Sequence, residues 1–324
     1  MPASARQPLL LDTDIGTDID DVYALILGAV SPEFDLRAVT VVNNDVTLRA
    51  RLARRVLDLL GRPEVPVSLG SALSLTPGER RGWMGHEGLG IALPDETSAA
   101  AVSSPESEPM DAARRIAVCA EEAYAAGTPL LVCTIGAMTN LALALRCYPE
   151  SARHIGQVVS MAANFEGFGP EKAHIEHNIA CDPVAVDIVF RSGLPVTLVG
   201  LNVTMQTAMT REDVDALEAI GGPLAEALVG MHRVWFAAIG GDRSPMHDGL
   251  ALAQRIDPTL LTLIDVVPQV LTHGPQAGVM TYTPPDGATP PFCRIATAVD
   301  AARFHELLQS RVRQAVQQAK ERAY

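Results

Sequence analysis

Aromatic residues are scarce in this 324-residue chain: 2 Trp, 5 Tyr and 7 Phe amount to 4% of it. Cysteine is sparse too, and Cys119, Cys133, Cys147, Cys181 and Cys293 are odd in number, widely spaced and mostly embedded in apolar runs. That pattern excludes a disulfide framework and reads as reduced, buried thiols. Basic residues are in deficit, with Lys+Arg 25 against Asp+Glu 38 and a formal net charge of -13. Such a surface does not attract a polyanionic backbone, which argues against nucleic acid as a partner. Acidic surfaces also serve solubility, so the charge names no partner of its own. No apolar run reaches the roughly 20 residues needed to span a bilayer, and no membrane partner is expected. Only a short tail, residues 1–7, precedes the first strand-like run, so no signal peptide is expected. The expectation is a soluble, cytoplasmic protein.

What is plentiful is apolar sequence, 48% of the chain, enough for one large α/β domain. Strand-like runs at Pro8 to Leu11, Leu36 to Val42, Val65 to Ser68, Leu130 to Thr134, Gln157 to Met161 and Pro195 to Val199 alternate with helical patterns. Those patterns fall at Asp20 to Val30, Thr47 to Leu60, Pro109 to Ala126, Asn140 to Cys147 and Pro183 to Ser192. The rhythm predicts an α/β fold: an open, mostly parallel sheet with helices on both faces. Beyond Gly200 the spacing predicts helices near Arg211 to Ile220, Pro223 to Ile239 and Gly249 to Arg255. Strands follow at Leu263 to Leu271 and Phe292 to Ala298, then a last amphipathic helix near Ala301 to Lys320. There is no repeat or linker, and the Ser/Pro/Glu-rich stretch Pro94 to Pro109 reads as a surface loop. A single domain, residues 1–324, is expected.

The first strand runs into Asp12-Thr13-Asp14-Ile15-Gly16-Thr17-Asp18-Ile19-Asp20-Asp21, which sets five carboxylates within ten residues at a strand's carboxyl end. In open α/β sheets ligands bind at that edge. Carboxylates this crowded repel one another unless a cation neutralises them, and all-oxygen donors suit a hard ion such as calcium or magnesium. Capping of the following helix accounts for one or two of the five. An EF-hand is excluded, because counting from Asp12 the sixth residue is Thr17 and the twelfth Tyr23, where that loop needs Gly and Glu. A phosphoryl-transfer site of the haloacid dehalogenase type, which also has an Asp-x-Asp pair after its first strand, is a further alternative. Gly16 and the distant His247-Asp248 pair depart from its pattern.

The acidic loop resembles the Asp-x-Asp-x-Gly-x-Asp-Asp signature of the inosine-uridine nucleoside hydrolases, here lengthened. Further segments are similar in the same order: Thr40-Val41-Val42-Asn43-Asn44, Gly85-His86-Glu87-Gly88-Leu89-Gly90, and Thr134 to Ala144 with Thr139-Asn140-Leu141-Ala142. Glu176-His177-Asn178 stands where Glu-Phe-Asn is usual, followed by Asp182-Pro183, and Met246-His247-Asp248-Gly249-Leu250-Ala251 resembles His-Asp-Pro-Leu-Ala. The matches run from residue 9 to about residue 251, and their shared order makes chance agreement implausible.

The resemblance implies a Rossmann-like fold and calcium-dependent cleavage of the N-glycosidic bond of a ribonucleoside. It makes Asp14, Asp21 and Asp248 calcium ligands, with the Ile135 carbonyl as a fourth. A seven- or eight-coordinate ion then has room for a water and two ribose hydroxyls. Asp14 is also the implied general base, and Asp20 the acceptor of the ribose hydroxyls, with Asp18 competing for that role in the lengthened loop. Glu176 and Asn178 are implied to hold the 5′ end of the ribose, Met161 to floor the pocket and Asn44 to lie near diol and water. His247 is the candidate for protonating or polarising the departing base, or else a support beside a metal ligand. Trp83, Phe165, Phe168, Trp235 and Phe236 either stack on the base or belong to the core. His86, taken with the substrate-binding candidates, and His232 are open in the same way.

Two departures bear on the substrate. His177 replaces the usual aromatic, and Gly167-Phe168-Gly169-Pro170-Glu171-Lys172 replaces an expected Gly-Asn, leaving Asn164 or Lys172 to touch the ribose. The alternatives are therefore hydrolysis of a modified nucleoside or other N-riboside, or a non-catalytic protein that binds metal and ligand. By resemblance, the chain is expected to form a homo-oligomer, a dimer or tetramer.

Overall fold

The computed structural model describes residues 6–78, 82–93, 110–165, 175–285, 287 and 292–323. In chain order the elements are β1 (Gln7–Thr13), α1 (Asp20–Val30), β2 (Phe34–Val41), α2 (Val46–Leu59), β3 (Val67–Leu69), α3 (Asp111–Ala125), β4 (Leu130–Thr134), α4 (Thr139–Cys147), α5 (Pro149–Ala152) and β5 (Ile155–Met161). They continue with α6 (His177–Cys181), α7 (Pro183–Arg191), β6 (Val196–Val199), α8 (Leu201–Thr204), β7 (Ala208–Thr210), α9 (Arg211–Ile220), α10 (Pro223–Ile239), β8 (Arg243–Pro245), α11 (His247–Ile256), β9 (Leu261–Val270), β10 (Met280–Thr283), β11 (Cys293–Val299) and α12 (Ala301–Ala323).

Nine strands form one sheet in the order β10-β9-β11-β6-β5-β4-β1-β2-β3. From β3 to β11 every neighbouring pair is parallel, and β9 and β10 add an antiparallel edge. Successive side chains of a strand point to opposite faces, so Leu9 and Leu11 join the core built with α1, α2, α11 and α12, while Leu10 joins the core built with α3, α4 and α7. Burial on both faces is why β4 reads as the unbroken run Leu-Leu-Val-Cys-Thr, all buried. Among the described residues no helix is long and apolar enough to cross a membrane.

The chain lays β1, β2 and β3 outward in one direction and then returns to place β4 on the other side of β1. The crevice at such a switch point, beyond the carboxyl ends of the strands, is where this class of sheet binds ligands. Thr13 ends β1 and Thr134 ends β4, so the acidic loop and Ile135 both open into that crevice. Helix α11 starts at His247, two residues earlier than the periodicity predicts, which puts His247 and Asp248 in its first turn. The short pieces α5, α6, α8, β7, β8 and β10 are additions to the expected elements. The predicted loop Pro94 to Pro109 lies outside the described residues.

Candidate active site

A cavity of about 420 Å³ occupies the crevice, lined by Asp14, Asp18, Asp20, Asp21, Ile135, Met161, Glu176, Asn178, Trp235, His247 and Asp248, with Gly82, Met84 and His177 at its rim. A groove of similar size, about 470 Å³, lies between α7 and the β9–β10 edge. Its charged pair, Asp187 and Arg191, is bonded within itself at 2.7 Å, so the chemistry resides in the first cavity.

The five loop carboxylates divide. Asp12 is fully buried, accepts from Thr40 Oγ1 at 2.6 Å and Asn140 Nδ2 at 2.8 Å, and is pushed up to about 7 by burial. It braces β1 against β2 and α4 instead of lining the cavity. The other four face the cavity. Thr13 Oγ1 donates to Asp21, and the Asp248 backbone N–H donates to Asp20 Oδ2 at 3.1 Å. Asp20 Oδ1 is buried without a hydrogen-bond partner.

Burial raises the carboxyl pKa of Asp14, Asp20, Asp21 and Asp248. For Asp248 burial acts first, and the neighbouring carboxylates of Asp20, Asp21, Asp18 and Asp14 push in the same direction. Arg49 and His177 oppose the effect at Asp14. Asp18, Asp20 and Asp21 each bring a carboxylate oxygen to within 4.8 Å of the others. Converging carboxylate oxygens that repel one another, those of Asp20 and Asp21 buried and one of them unpartnered, fit a hard divalent cation. Of the implied ligands, Asp14, Asp21, Asp248 and the Ile135 carbonyl line the same cavity.

The opposite wall is built by α6. Glu176 caps this short helix, accepting from the N–H groups of Asn178 at 2.7 Å and Ile179 at 3.1 Å and from Ala163 N–H at 3.2 Å. Asn178 Nδ2 donates to the carbonyls of Ile135 at 3.0 Å and Met161 at 3.1 Å, which ties the wall to β4 and β5. His177 stands at the rim, 3.4 Å from Cys181 Sγ. That contact, ahead of the carboxylates of Asp14 and Glu176, pushes its imidazole pKa up, to about 10.

His247 Nδ1 lies 2.7 Å from Thr204 Oγ1 on α8, so Nε2 is the ring nitrogen left for the cavity. Burial lowers its pKa. Trp235 lines the cavity, whereas Trp83, 43% exposed, is not among the lining residues, although its neighbours Gly82 and Met84 are. His86 contacts Trp235, with ring centroids 5.9 Å apart, and its Nε2 lies 2.6 Å from the Thr17 carbonyl. Asn44 and Asn164 are buried, and neither is among the residues lining the cavity.

Phe236 and His232 belong to the core. Phe236 packs with Val214 and Val229, and His232, pushed down to about 3 by burial, bonds Tyr23 Oη at 2.9 Å. Phe165 packs edge-on against Tyr282. Phe168 and Lys172 lie outside the described residues. Thr13, Thr204 and Arg49 were not legible as site residues, because each acts through a partner distant in sequence or through another site residue.

Fold and site together define an α/β enzyme with an acidic cleft at its topological switch point whose Asp cluster could hold a metal ion. The chain belongs to the inosine-uridine preferring nucleoside hydrolase family, whose model matches residues 9–306. It is 32% identical over 292 residues to a pyrimidine-specific ribonucleoside hydrolase of Photobacterium profundum, covering 85% of this chain and 88% of that one. It is 29% identical to a probable uridine nucleosidase 2 of Arabidopsis thaliana, with 96% and 99% covered. Among solved structures, a purine-preferring ribonucleoside hydrolase from Gardnerella vaginalis superposes with a TM-score of 0.83 at 29% identity, over 96% of this chain and 99% of that one. The chain is accordingly a nucleoside hydrolase, and the phosphoryl-transfer reading is displaced.

Proposed function

We propose that the protein hydrolyses the N-glycosidic bond of ribonucleosides, purine or pyrimidine, with calcium as its ion. The observation that carries this reading is the convergence of the acidic loop, Ile135 and His247-Asp248 on one cavity. Asp14, Asp21, Asp248 and the Ile135 carbonyl would hold the ion, with Asp18 and Asp20 beside them. When bound, calcium supplies a site for the ribose diol and lowers the pKa of the attacking water.

Asp14 takes the proton of that water. The unpartnered Asp20 Oδ1 is free to accept from a ribose hydroxyl, which favours Asp20 over Asp18 for that role. Carboxylates on this side of the ring stabilise positive charge as the sugar becomes oxocarbenium-like. Glu176 and Asn178 hold the 5′ end over Met161, Asn164 is the candidate for the missing ribose asparagine on that side, and Asn44 belongs to the side of the diol and water. His247 meets the departing base through Nε2, and Trp83, Trp235 and His86 shape the base side. The reading also carries a cytoplasmic homo-oligomer, a dimer or tetramer, whose mass in solution light scattering would measure.

The decisive experiment incubates the protein with purine and pyrimidine ribonucleosides, with calcium or with a chelator, and quantifies free ribose and base. Calcium-dependent release is expected. Bound calcium without release from any nucleoside would sink the reading in favour of a modified N-riboside or a non-catalytic binding protein.

A further inference from the structure

Arg49 lies in the first turn of α2 and is fully buried. Its guanidinium donates to the Asn43 carbonyl at 2.8 Å through Nε, to the Ile15 carbonyl at 2.9 Å through Nη1, and to Thr17 Oγ1 at 3.5 Å through Nη2. None of these three partners is charged. A guanidinium buried this way is costly unless opposite charge lies nearby. That charge is supplied by Asp14 and Asp21, across the loop it holds.

The three partners belong to different parts of the site. Ile15 and Thr17 are the middle of the acidic loop, and Asn43 is in the left-handed turn between β2 and α2, with φ 71°. Gly16, between Ile15 and Thr17, has φ 121°, and a Cβ there would meet Leu52 of α2 at 2.5 Å, so the loop is seated directly on this helix. The outer face of the guanidinium carries Trp83, with Cζ 5.7 Å from the ring centroid. Thr17 also donates to the Gly82 carbonyl at 3.2 Å and to Glu87 Oε1 at 3.2 Å, binding the same loop to the segment that bears Trp83.

We propose that Arg49 is a positioning residue for the hydrolytic reaction: one buried guanidinium fixes the acidic loop, the Asn43 turn and the Trp83 ring in a single register. The planar fork is what the task needs, because three acceptors in different directions cannot be met by one ammonium with the same geometry. The inference rests on the hydrolase reading and goes beyond it by assigning a residue that is not among those lining the cavity.

The test uses Arg49→Lys and Arg49→Met in the full chain saturated with calcium. Kinetics are measured in the wild-type background and fluorescence in a Trp235→Phe background, where Trp83 is the remaining tryptophan of the 2 in the chain. For Arg49→Met, kcat per folded molecule is expected to fall roughly 10- to 100-fold, as misplaced reacting groups do, and Trp83 emission to move to longer wavelength. Arg49→Lys is expected to recover the melting temperature but only part of kcat and of the emission shift. A purely structural role would lower the melting temperature and leave kcat per folded molecule and Trp83 emission unchanged, overturning the proposal. Should Arg49→Met fail to fold, Arg49→Lys decides, with wild-type values in every readout as the overturning result. If the wild-type protein itself releases no ribose, the hydrolase reading fails separately, and an unchanged Trp83 emission in the variants overturns the positioning role on its own.

Discussion

At the scale of single residues the site separates groups that do chemistry from groups that hold them. Asp14 is assigned both a metal contact and the proton transfer, and the two can be pulled apart. Asp14→Asn keeps an oxygen for the ion but cannot take a proton, so kcat is expected to fall by roughly 10²- to 10⁴-fold, the usual worth of a positioned base. Calcium affinity, measured by calorimetry, should change far less. Asp21→Asn is the contrasting variant: it loses a carboxylate held by Thr13 within the cation cluster, and calcium affinity should fall first. Equal loss of affinity and unchanged kcat at saturating calcium in both variants would remove Asp14 as the base. His247 and Thr204 show the same division, since Thr204 fixes Nδ1 and leaves Nε2 for the leaving group.

At the scale of elements, the loop carrying Trp83 and His86 is joined to α10 by backbone. A Cβ on Gly230 would lie 2.0 Å from the Gly90 carbonyl oxygen, and one on Gly90 would lie 2.4 Å from the Gly230 carbonyl oxygen. Only glycine at both positions allows this approach. In a helix interior Ala is favoured over Gly by about 1 kcal/mol, which partly offsets the about 1–3 kcal/mol cost of overpacking. Gly230→Ala should therefore lower the melting temperature by roughly a few degrees and push the loop from the cavity mouth, raising KM with kcat per folded molecule largely retained. An unchanged KM for every nucleoside would show that this loop takes no part in binding the base. The alternation of strand and helix was legible because apolar periodicity is local: α1, α9 and α10 start and stop where their sequences predict. The three-residue strands β7 and β8 were not, since each is defined by a partner about thirty-five residues away, Met209 opposite Ser244. In the site, the carboxylates were conspicuous because they crowd one loop. Arg49 was hidden because its partner Ile15 is 34 residues distant and nothing in an isolated helical arginine records which way it turns.

At the scale of the whole molecule, the acidic cleft makes stability depend on the ion. Asp14, Asp20, Asp21 and Asp248 have carboxyl pKa values raised by burial, so without a cation the folded chain binds more protons than the unfolded one. Stability then falls as pH rises from the ordinary carboxylate value of 3.8 through the raised folded values. A cation that binds the ionised cluster reverses this, because it binds only the folded state and stabilises it by RT ln(1 + [L]/Kd). The two effects act in the same direction on one measurable difference. The gap in melting temperature between calcium-saturated and chelated protein should widen from about pH 5 to about pH 8, where the carboxylates must ionise with or without their ion. Groups remote from the cleft, such as the buried His232, titrate in both samples and cancel in the difference. A gap that stays constant across that range would mean the cluster is ionised and satisfied without a cation, and the ion would then be a catalytic visitor with no share in holding the fold.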